Sequence, residues 1–114
     1  YIVYLKPGNY GAISSTIVIP DDKALIGLSN GPQDGIAYGA LFQPSITSSI
    51  FTVGRGSRME GIAVSASGAG SVPMVNVSGG PGWTTIKNCV FKGPSWTGDI
   101  IEASNSMLHV EDVG

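Results

Sequence analysis

Apolar and polar residues alternate in four short segments of the chain, at 16–20, 49–53, 73–77 and 99–103. In each segment two apolar residues flank one residue of variable character. The flanking pairs are Ile17/Ile19, Phe51/Val53, Val75/Val77 and Ile101/Ala103, around Val18, Thr52, Asn76 and Glu102. A period of two predicts strands with one buried face. The pattern therefore predicts four equivalent strands, with the flanking pairs inward and the central residues outward.

A second apolar segment follows each of these strands after a short corner. Aligning the second segments places four apolar residues in one column: Leu25, Met59, Ile86 and Leu108. Two positions later the first three copies have Gly27, Gly61 and Asn88, whereas the fourth copy breaks the pattern with Val110. Gly, and next to it Asn, adopts positive φ at the lowest cost. We therefore predict a bend at one fixed place in each of the first three copies.

The spacing of the copies favours a solenoid of stacked strands. Successive members of the apolar column are 34, 27 and 22 positions apart, and a strand-based repeat of about 20 to 35 residues is typical of solenoids. An inserted corner loop near 30–40 would explain the long first interval, and its Gly, Pro, Asn and Asp residues suit a surface loop. A β-sandwich is the competing fold, but it gives no reason for the Gly/Gly/Asn column.

Composition agrees with one all-β domain over residues 1–114. Charged residues make up 12% of the chain, about half the usual share, and the 17 Gly residues are about twice the usual share. The net charge of -2 gives no basic surface for nucleic acid. No apolar run approaches the roughly 18 residues of a membrane span. We expect neither a nucleic-acid partner nor membrane insertion, and the abrupt ends predict a fragment of a longer helix.

Three segments, 3–10, 19–27 and 85–93, resemble the pectin-lyase-like right-handed parallel β-helix superfamily. They read VYLKPGNY, IPDDKALIG and TIKNCVFKG, and the resemblance covers nearly the whole chain. It implies a single-stranded right-handed parallel β-helix, or β-solenoid, of about four rungs. Its members include polysaccharide lyases, glycosidases, adhesins and bacteriophage tailspikes, so it implies no single activity. No catalytic motif of the superfamily can be placed here residue by residue.

The catalytic candidates are Glu60 and Lys87, which fall in an outward column with Ile26 and His109. Neighbouring rungs would place Glu60 beside Lys87 as an ion pair, with His109 on the other side of Lys87. One interpretation is a stripe that binds an acidic saccharide. The other, which we favour, is a solvated surface pair worth about 0 to 1 kcal/mol.

Catalysis by Asp and Glu carboxylates has little further support in the sequence. A lyase needs carboxylates clustered around a calcium ion and a base beside the substrate, whereas the eight acidic residues are scattered. Asp21–Asp22 and Glu111–Asp112 are adjacent, and adjacent strand residues point to opposite faces. Glu60 and Asp34 of the inserted loop are one pair that a glycoside hydrolase could assemble. We predict no metal site and no cofactor, and disfavour an active site within these residues.

The candidates for saccharide contact are Arg58, Trp83 and Trp96. The two indoles either stack on sugar rings or cover rung corners or a neighbouring subunit, and we favour the second interpretation. Arg58 and Arg55 flank a Gly-rich corner, but no helix follows to supply the amides of a phosphate loop. Cys89 shares a column with Leu28 and Ile62 and is predicted to be a small buried hydrophobe.

These expectations favour a structural or receptor-binding β-helix of a phage or other virion appendage. It would be a homo-oligomer, most simply a trimer, located in the virion or outside the cell, and would bind a saccharide or another surface without chemistry. The alternative is an extracellular polysaccharide-degrading enzyme, a lyase or glycoside hydrolase, or its saccharide-binding module.

Overall fold

The computed structural model describes residues 2–28, 40–103 and 106–113, and it shows β-strands and no helix in them. Twelve strands follow one another along the chain: β1 Ile2–Leu5, β2 Gly8–Asn9, β3 Ile17–Ile19, β4 Ala24–Gly27, β5 Ala40–Phe42, β6 Phe51–Val53, β7 Arg58–Glu60, β8 Ile62–Ser65, β9 Val75–Val77, β10 Gly80–Lys92, β11 Ile101–Ala103 and β12 Ser106–Val113. In the described ranges there is accordingly no helix that could cross a membrane. The loop predicted near 30–40 lies outside these ranges, apart from Ala40, which begins β5.

The strands form three parallel sheets that enclose one core. Sheet A has the order β1-β4-β7-β10-β12, sheet B contains β2, β5, β8 and the end of β10, and sheet C has the order β3-β6-β9-β11. The chain passes from sheet C to A to B and then returns to C one level further on. This confirms the predicted all-β parallel solenoid, with about four turns set by the four strands of sheet C. The right-handed sense of the coil stays a prediction.

Sheet C matches the alternation predicted from the sequence. Ile17, Phe51, Val75 and Ile101 occupy one register column, and Ile19, Val53, Val77 and Ala103 occupy the other inward column. Phe51, Val53 and Val75 have no exposed surface. The central residues of the strands lie on the outer side, where Asn76 and Glu102 are exposed. Burial confirms the inward and outward assignment in β3, β6 and β9, whereas in β11 the predicted inward residue Ala103 is exposed, like Glu102.

The register of the fourth copy in sheet A is different from the prediction. Met59 pairs with Leu25 and Ile86 as expected, but Ile86 pairs with Val110, while Leu108 lies beside Thr84. Placing Leu108 beside Ile86 was therefore wrong by two residues. A slip of one residue turns every side chain to the other face. A slip of two keeps the same faces, so the apolar pattern alone could not separate the two registers.

The predicted bend is present at Gly61 and Asn88, which have positive φ, whereas Gly27 is required for a different reason. Gly61 and Asn88 have positive φ values of 68° and 53°, which confirms the prediction for both. Gly27 does not adopt a left-handed conformation. It is needed because a Cβ there would overlap the carbonyl oxygen of Gly61 on the next turn. The column therefore combines a backbone conformation with a close approach of two turns.

Buried hydroxyl groups join successive turns at the corner between sheets C and A. Ser57 Oγ donates a hydrogen bond to Pro20 O, and Thr84 Oγ1 donates to Gly54 O over 3.3 Å while accepting from Gly56 N over 3.1 Å. Both side chains are almost completely buried. Buried polar groups that are hydrogen-bonded avoid the cost of desolvation. These bonds fix the point at which β7 and β10 enter sheet A.

Candidate functional site on the outer face of sheet A

Three neighbouring strands of sheet A present four of the five candidate site residues, Arg58, Glu60, Trp83 and Lys87, whereas Trp96 lies elsewhere. In the parallel register Thr85 on β10 lies between Arg58 on β7 and His109 on β12, and Lys87 lies between Glu60 and Glu111. Trp83 precedes them on the same face of β10. We call this group the outer patch: Arg58, Glu60, Trp83, Thr85, Lys87, His109 and Glu111. Adjacent strands lie about 4.8 Å apart, so the patch is a continuous surface.

The ion pairs of the outer patch differ from those expected. Glu60 lies beside Lys87 in the register as predicted, but its carboxylate contacts Arg58 Nη2. Lys87 Nζ instead lies 3.2 Å from Glu111 Oε2. The predicted Glu60–Lys87 ion pair is therefore wrong, because Glu60 pairs with Arg58 and Lys87 pairs with Glu111. The position expected for His109, beside Lys87, is also wrong and follows from the two-residue slip of β12.

Glu60 is more enclosed than a solvated surface carboxylate. Its side chain is 15% exposed, and Oε2 is buried without an aligned hydrogen bond among the described residues. Arg58 Nη2 approaches this oxygen closely but without hydrogen-bond alignment. Glu60 is thus the least exposed carboxylate of the patch, whereas Lys87 and Glu111 form an ordinary exposed pair.

The two tryptophans lie in different environments. Trp83 is 61% exposed on the outer face of sheet A. Trp96 is partly buried against the core, and its Nε1 donates a hydrogen bond to Val72 O over 2.8 Å. The ring of Trp96 occupies the space in which a Cβ on Gly70 would lie. Trp96 thus packs at a corner, in line with the favoured interpretation, whereas the exposed face of Trp83 remains available to a ligand or a subunit.

The remaining acidic candidates form no cluster among the residues that the structure describes. Asp21 Oδ1 accepts a hydrogen bond from Arg55 N over 3.0 Å, and Oδ2 lies 3.5 Å from Arg55 Nε. These contacts join the corner after β3 to the equivalent corner after β6 on the next turn. The pairing of Glu60 with Asp34 falls outside the described residues and stays a prediction. In the ranges described, no three His, Cys, Asp or Glu side chains are placed to hold a metal ion.

Thr85 and Glu111 belong to the outer patch although the sequence did not mark them as site residues. Their spacing from the candidate residues could have indicated them. Thr85 lies two positions from Lys87 on β10, and Glu111 lies two positions from His109 on β12. Residues two apart on a strand share a face. For Glu111 this spacing was not sufficient, because the expected register placed His109 beside Lys87. Only the observed register of β12 places Glu111 there.

Cys89 lies on the inner side of the sheet that carries the patch. The thiol is fully buried, and Sγ lies 3.3 Å from Lys87 O and 3.8 Å from Met59 O. Burial raises the pKa of this thiol from 9.0 to about 11. A thiol in such surroundings is a poor nucleophile, which agrees with the predicted role of a small buried hydrophobe. Ile62 of the same predicted column is also buried, whereas Leu28 is 44% exposed, so its place in that column was wrong.

Cys89 should make the stability of the chain fall with pH between 9.0 and about 11. In that range the unfolded thiol has lost its proton while the folded thiol retains it, so rising pH favours unfolding. The contribution is fully present below pH 9.0 and is lost as the pH passes about 11. Urea unfolding of the wild type and Cys89→Ala at several pH values measures it. The stability difference between the two proteins should change steadily across the range, and a constant difference would contradict the prediction.

Comparison with protein-family models, with curated proteins and with solved structures gave no match to this chain. The fold class therefore rests on strand pairing, and it agrees with the solenoid that the resemblance to the pectin-lyase-like superfamily implies. Membership of that superfamily stays a prediction. The residues of the outer patch are therefore the basis for a functional proposal.

Proposed function

We propose that this chain is a rigid structural and receptor-binding segment of a virion or other extracellular appendage. Its outer patch binds a saccharide, and these residues carry out no chemistry on it. The observation that supports this most directly is the exposure of Trp83, which is 61% accessible. Large aromatic side chains with one polar edge are favoured at binding surfaces.

Strand pairing and a buried neighbour fix the backbone from which the indole of Trp83 projects. β10 pairs on one side with β7 and on the other with β12. The neighbouring Thr84 is buried and anchors the backbone to Gly54 and Gly56 of the preceding turn. A site on a rigid strand loses little conformational entropy when it binds a ligand. This preorganisation favours recognition of an extended, weakly interacting chain such as a polysaccharide.

The charges of the outer patch favour a hydroxyl-rich ligand over a polyanion. Its two cations, Arg58 and Lys87, are each in contact with a carboxylate, so the patch has no marked excess of positive charge. Carboxylates, Thr85 and His109 offer acceptors and donors that match sugar hydroxyl groups. The proposed ligand is a neutral or mixed-charge saccharide. The trimeric state and the virion or extracellular location come from the resemblance to tailspikes and belong to the same proposal.

Replacing Trp83 with Ala should weaken saccharide binding by at least about fivefold, because loss of a stacked aromatic costs about 1–3 kcal/mol. Bacterial surface and plant polysaccharides, immobilised as an array, provide the ligands, and binding of the intact chain is titrated on those that respond. Trp83→Phe retains a stacking ring and should stay within about threefold of the wild type. Asn76→Ala, on the outer side of sheet C, is the matched surface control.

Equal binding by the wild type and Trp83→Ala would contradict the proposal, as would failure of every polysaccharide to bind. The same incubations test the alternative, a polysaccharide-degrading enzyme, which is favoured specifically by the enclosed carboxylate of Glu60 beside Arg58. New reducing ends or unsaturated uronates would report cleavage. Turnover that disappears in Glu60→Gln or Lys87→Ala but persists in Glu102→Gln would replace the non-catalytic proposal with the enzymatic one.

A further inference from the structure

Gly56 lies beside Trp83 at the corner through which the chain enters sheet A. The amide of Gly56 donates a hydrogen bond to Thr84 Oγ1 over 3.1 Å. A Cβ on Gly82 would lie 3.4 Å from Gly56 Cα. Trp83 stands between Gly82 and Thr84 in the chain, so it is the neighbour of Gly56 on the following turn.

Asp22 flanks Gly56 from the other side, on the preceding turn. Its N donates a hydrogen bond to Arg55 O over 3.0 Å, and its Oδ1 occupies the space in which a Cβ on Gly56 would lie. The carboxylate of Asp22 therefore extends over Gly56, in the direction of Trp83. Two steps of about 4.8 Å separate the backbones of Asp22 and Trp83, and the carboxylate spans part of the first step.

The three residues Asp22, Gly56 and Trp83 form a row on the side of the coil, which we call the corner notch. Both of its ends are accessible, since Asp22 is exposed and Trp83 is 61% exposed. Gly56 has no side chain to fill the middle, and its φ of 69° disfavours any residue with a Cβ. The notch thus presents a carboxylate and an indole on either side of a gap.

The corner notch carries a negative charge that no described cation balances. The ion pairs found among the described residues of this face and corner are Asp21–Arg55, Glu60–Arg58 and Glu111–Lys87. None of them includes Asp22. The two cations of the outer patch are thus occupied by other carboxylates, and the charge of Asp22 is left to attract a cationic ligand beside Trp83.

We propose that the corner notch binds the ammonium group of an amino sugar, as part of the saccharide that the outer patch holds. This inference rests on the proposed saccharide function and names the substituent that the ligand carries. An ammonium group is attracted to the face of an indole, and it donates strong, charge-assisted hydrogen bonds to a carboxylate. A hexosamine with a free amine offers both a ring for Trp83 and an ammonium group for Asp22. Its N-acetylated form offers the ring without the charge.

The probes are the β-1,4-linked tetramers of glucosamine and of N-acetylglucosamine, titrated into the intact chain by calorimetry. The buffer is mildly acidic, so that the free amines are protonated. The wild type should bind the glucosamine tetramer at least about fivefold more tightly than the acetylated one. Added salt should reduce this preference, because it screens charges at an exposed site.

Asp22→Asn removes the charge and keeps the shape of the side chain. Asn also tolerates the φ of 57° at this position, so the variant should fold, which urea unfolding verifies. It should lose at least about threefold of the preference and bind the acetylated tetramer as the wild type does. Glu102→Gln removes an equal charge from an exposed position on sheet C and should leave the preference unchanged. Trp83→Ala should weaken the binding of both tetramers.

The outcomes separate this inference from the proposed function. Failure of the glucosamine tetramer to bind, or a preference that Asp22→Asn leaves unchanged, would overturn the corner notch even if other saccharides bind through Trp83. Equal losses in Glu102→Gln and Asp22→Asn would also overturn it, because the preference would then reflect the net charge of the chain. Failure of every saccharide, or binding that is independent of Trp83, would contradict the proposed function itself.

Discussion

Replacing Gly61 with Ala will reduce the free energy of unfolding by more than about 3 kcal/mol, a large fraction of the roughly 5–15 kcal/mol that is typical of a single domain. Gly61 has a φ of 68°, which costs a residue with a Cβ about 1–2 kcal/mol. In addition, a Cβ at this position would overlap the carbonyl oxygen of Gly27 on the preceding turn, far inside the 3.0 Å that real Cβ contacts keep. That oxygen belongs to the backbone, so it cannot move without disturbing β4.

Two further substitutions separate the causes of this effect. Gly27→Ala introduces the overlap with Gly61 O at a residue without positive φ. Gly11→Ala introduces the strain of a φ of 75° where no atom lies within 4 Å of the new Cβ, so it should cost about 1–2 kcal/mol. Urea unfolding followed by circular dichroism measures all three. If Gly61→Ala were no more destabilising than Gly11→Ala, the close approach of the two turns would not be a determinant of the fold.

Replacing Phe51 with Ala will cost about 3–5 kcal/mol, the range for removal of a large aromatic side chain from a core. Phe51 has no exposed surface, and its ring contacts Phe42 edge to face with centroids 5.9 Å apart. Phe42 in turn stacks on Tyr10 over 5.4 Å. Because Phe51 is the sheet C member of this aromatic row, its loss opens a cavity between sheets B and C.

Thr52→Ala is the matched control for this substitution, because Thr52 lies on the same strand and faces outward. It should cost less than about 1 kcal/mol. Thermal or urea unfolding of both variants gives the comparison. Similar losses from Phe51→Ala and Thr52→Ala would show that the two faces of β6 are not distinguished by burial, contrary to the alternation of sheet C.

The repeat pattern was sufficient to predict the parallel solenoid and the whole of sheet C. Its strands alternate strictly, and a one-residue error would have placed Phe51 in solvent and Thr52 in the core. The cost of that exchange makes the inward face unambiguous. The bend at Gly61 and Asn88 was predictable for a similar reason, since few residues adopt positive φ at low cost. The strands β2 and β5 were not predicted, because segments of two and three residues are too short to show a period.

The amino-acid sequence by itself determined which residues face inward and where the chain bends, because burial and backbone conformation are properties of single positions. It also determined that the strands stack in parallel, because the spacing of the repeats is typical of a solenoid. Only the tertiary structure decided the register of β12, and with it the partners of Lys87 and His109, because a shift of two residues leaves every face unchanged. It also decided that Glu60 is enclosed beside Arg58 while Trp83 stands exposed and Trp96 packs on Gly70. Those differences depend on which turns lie next to each other and how closely their backbones approach, and neither quantity is encoded in a local pattern.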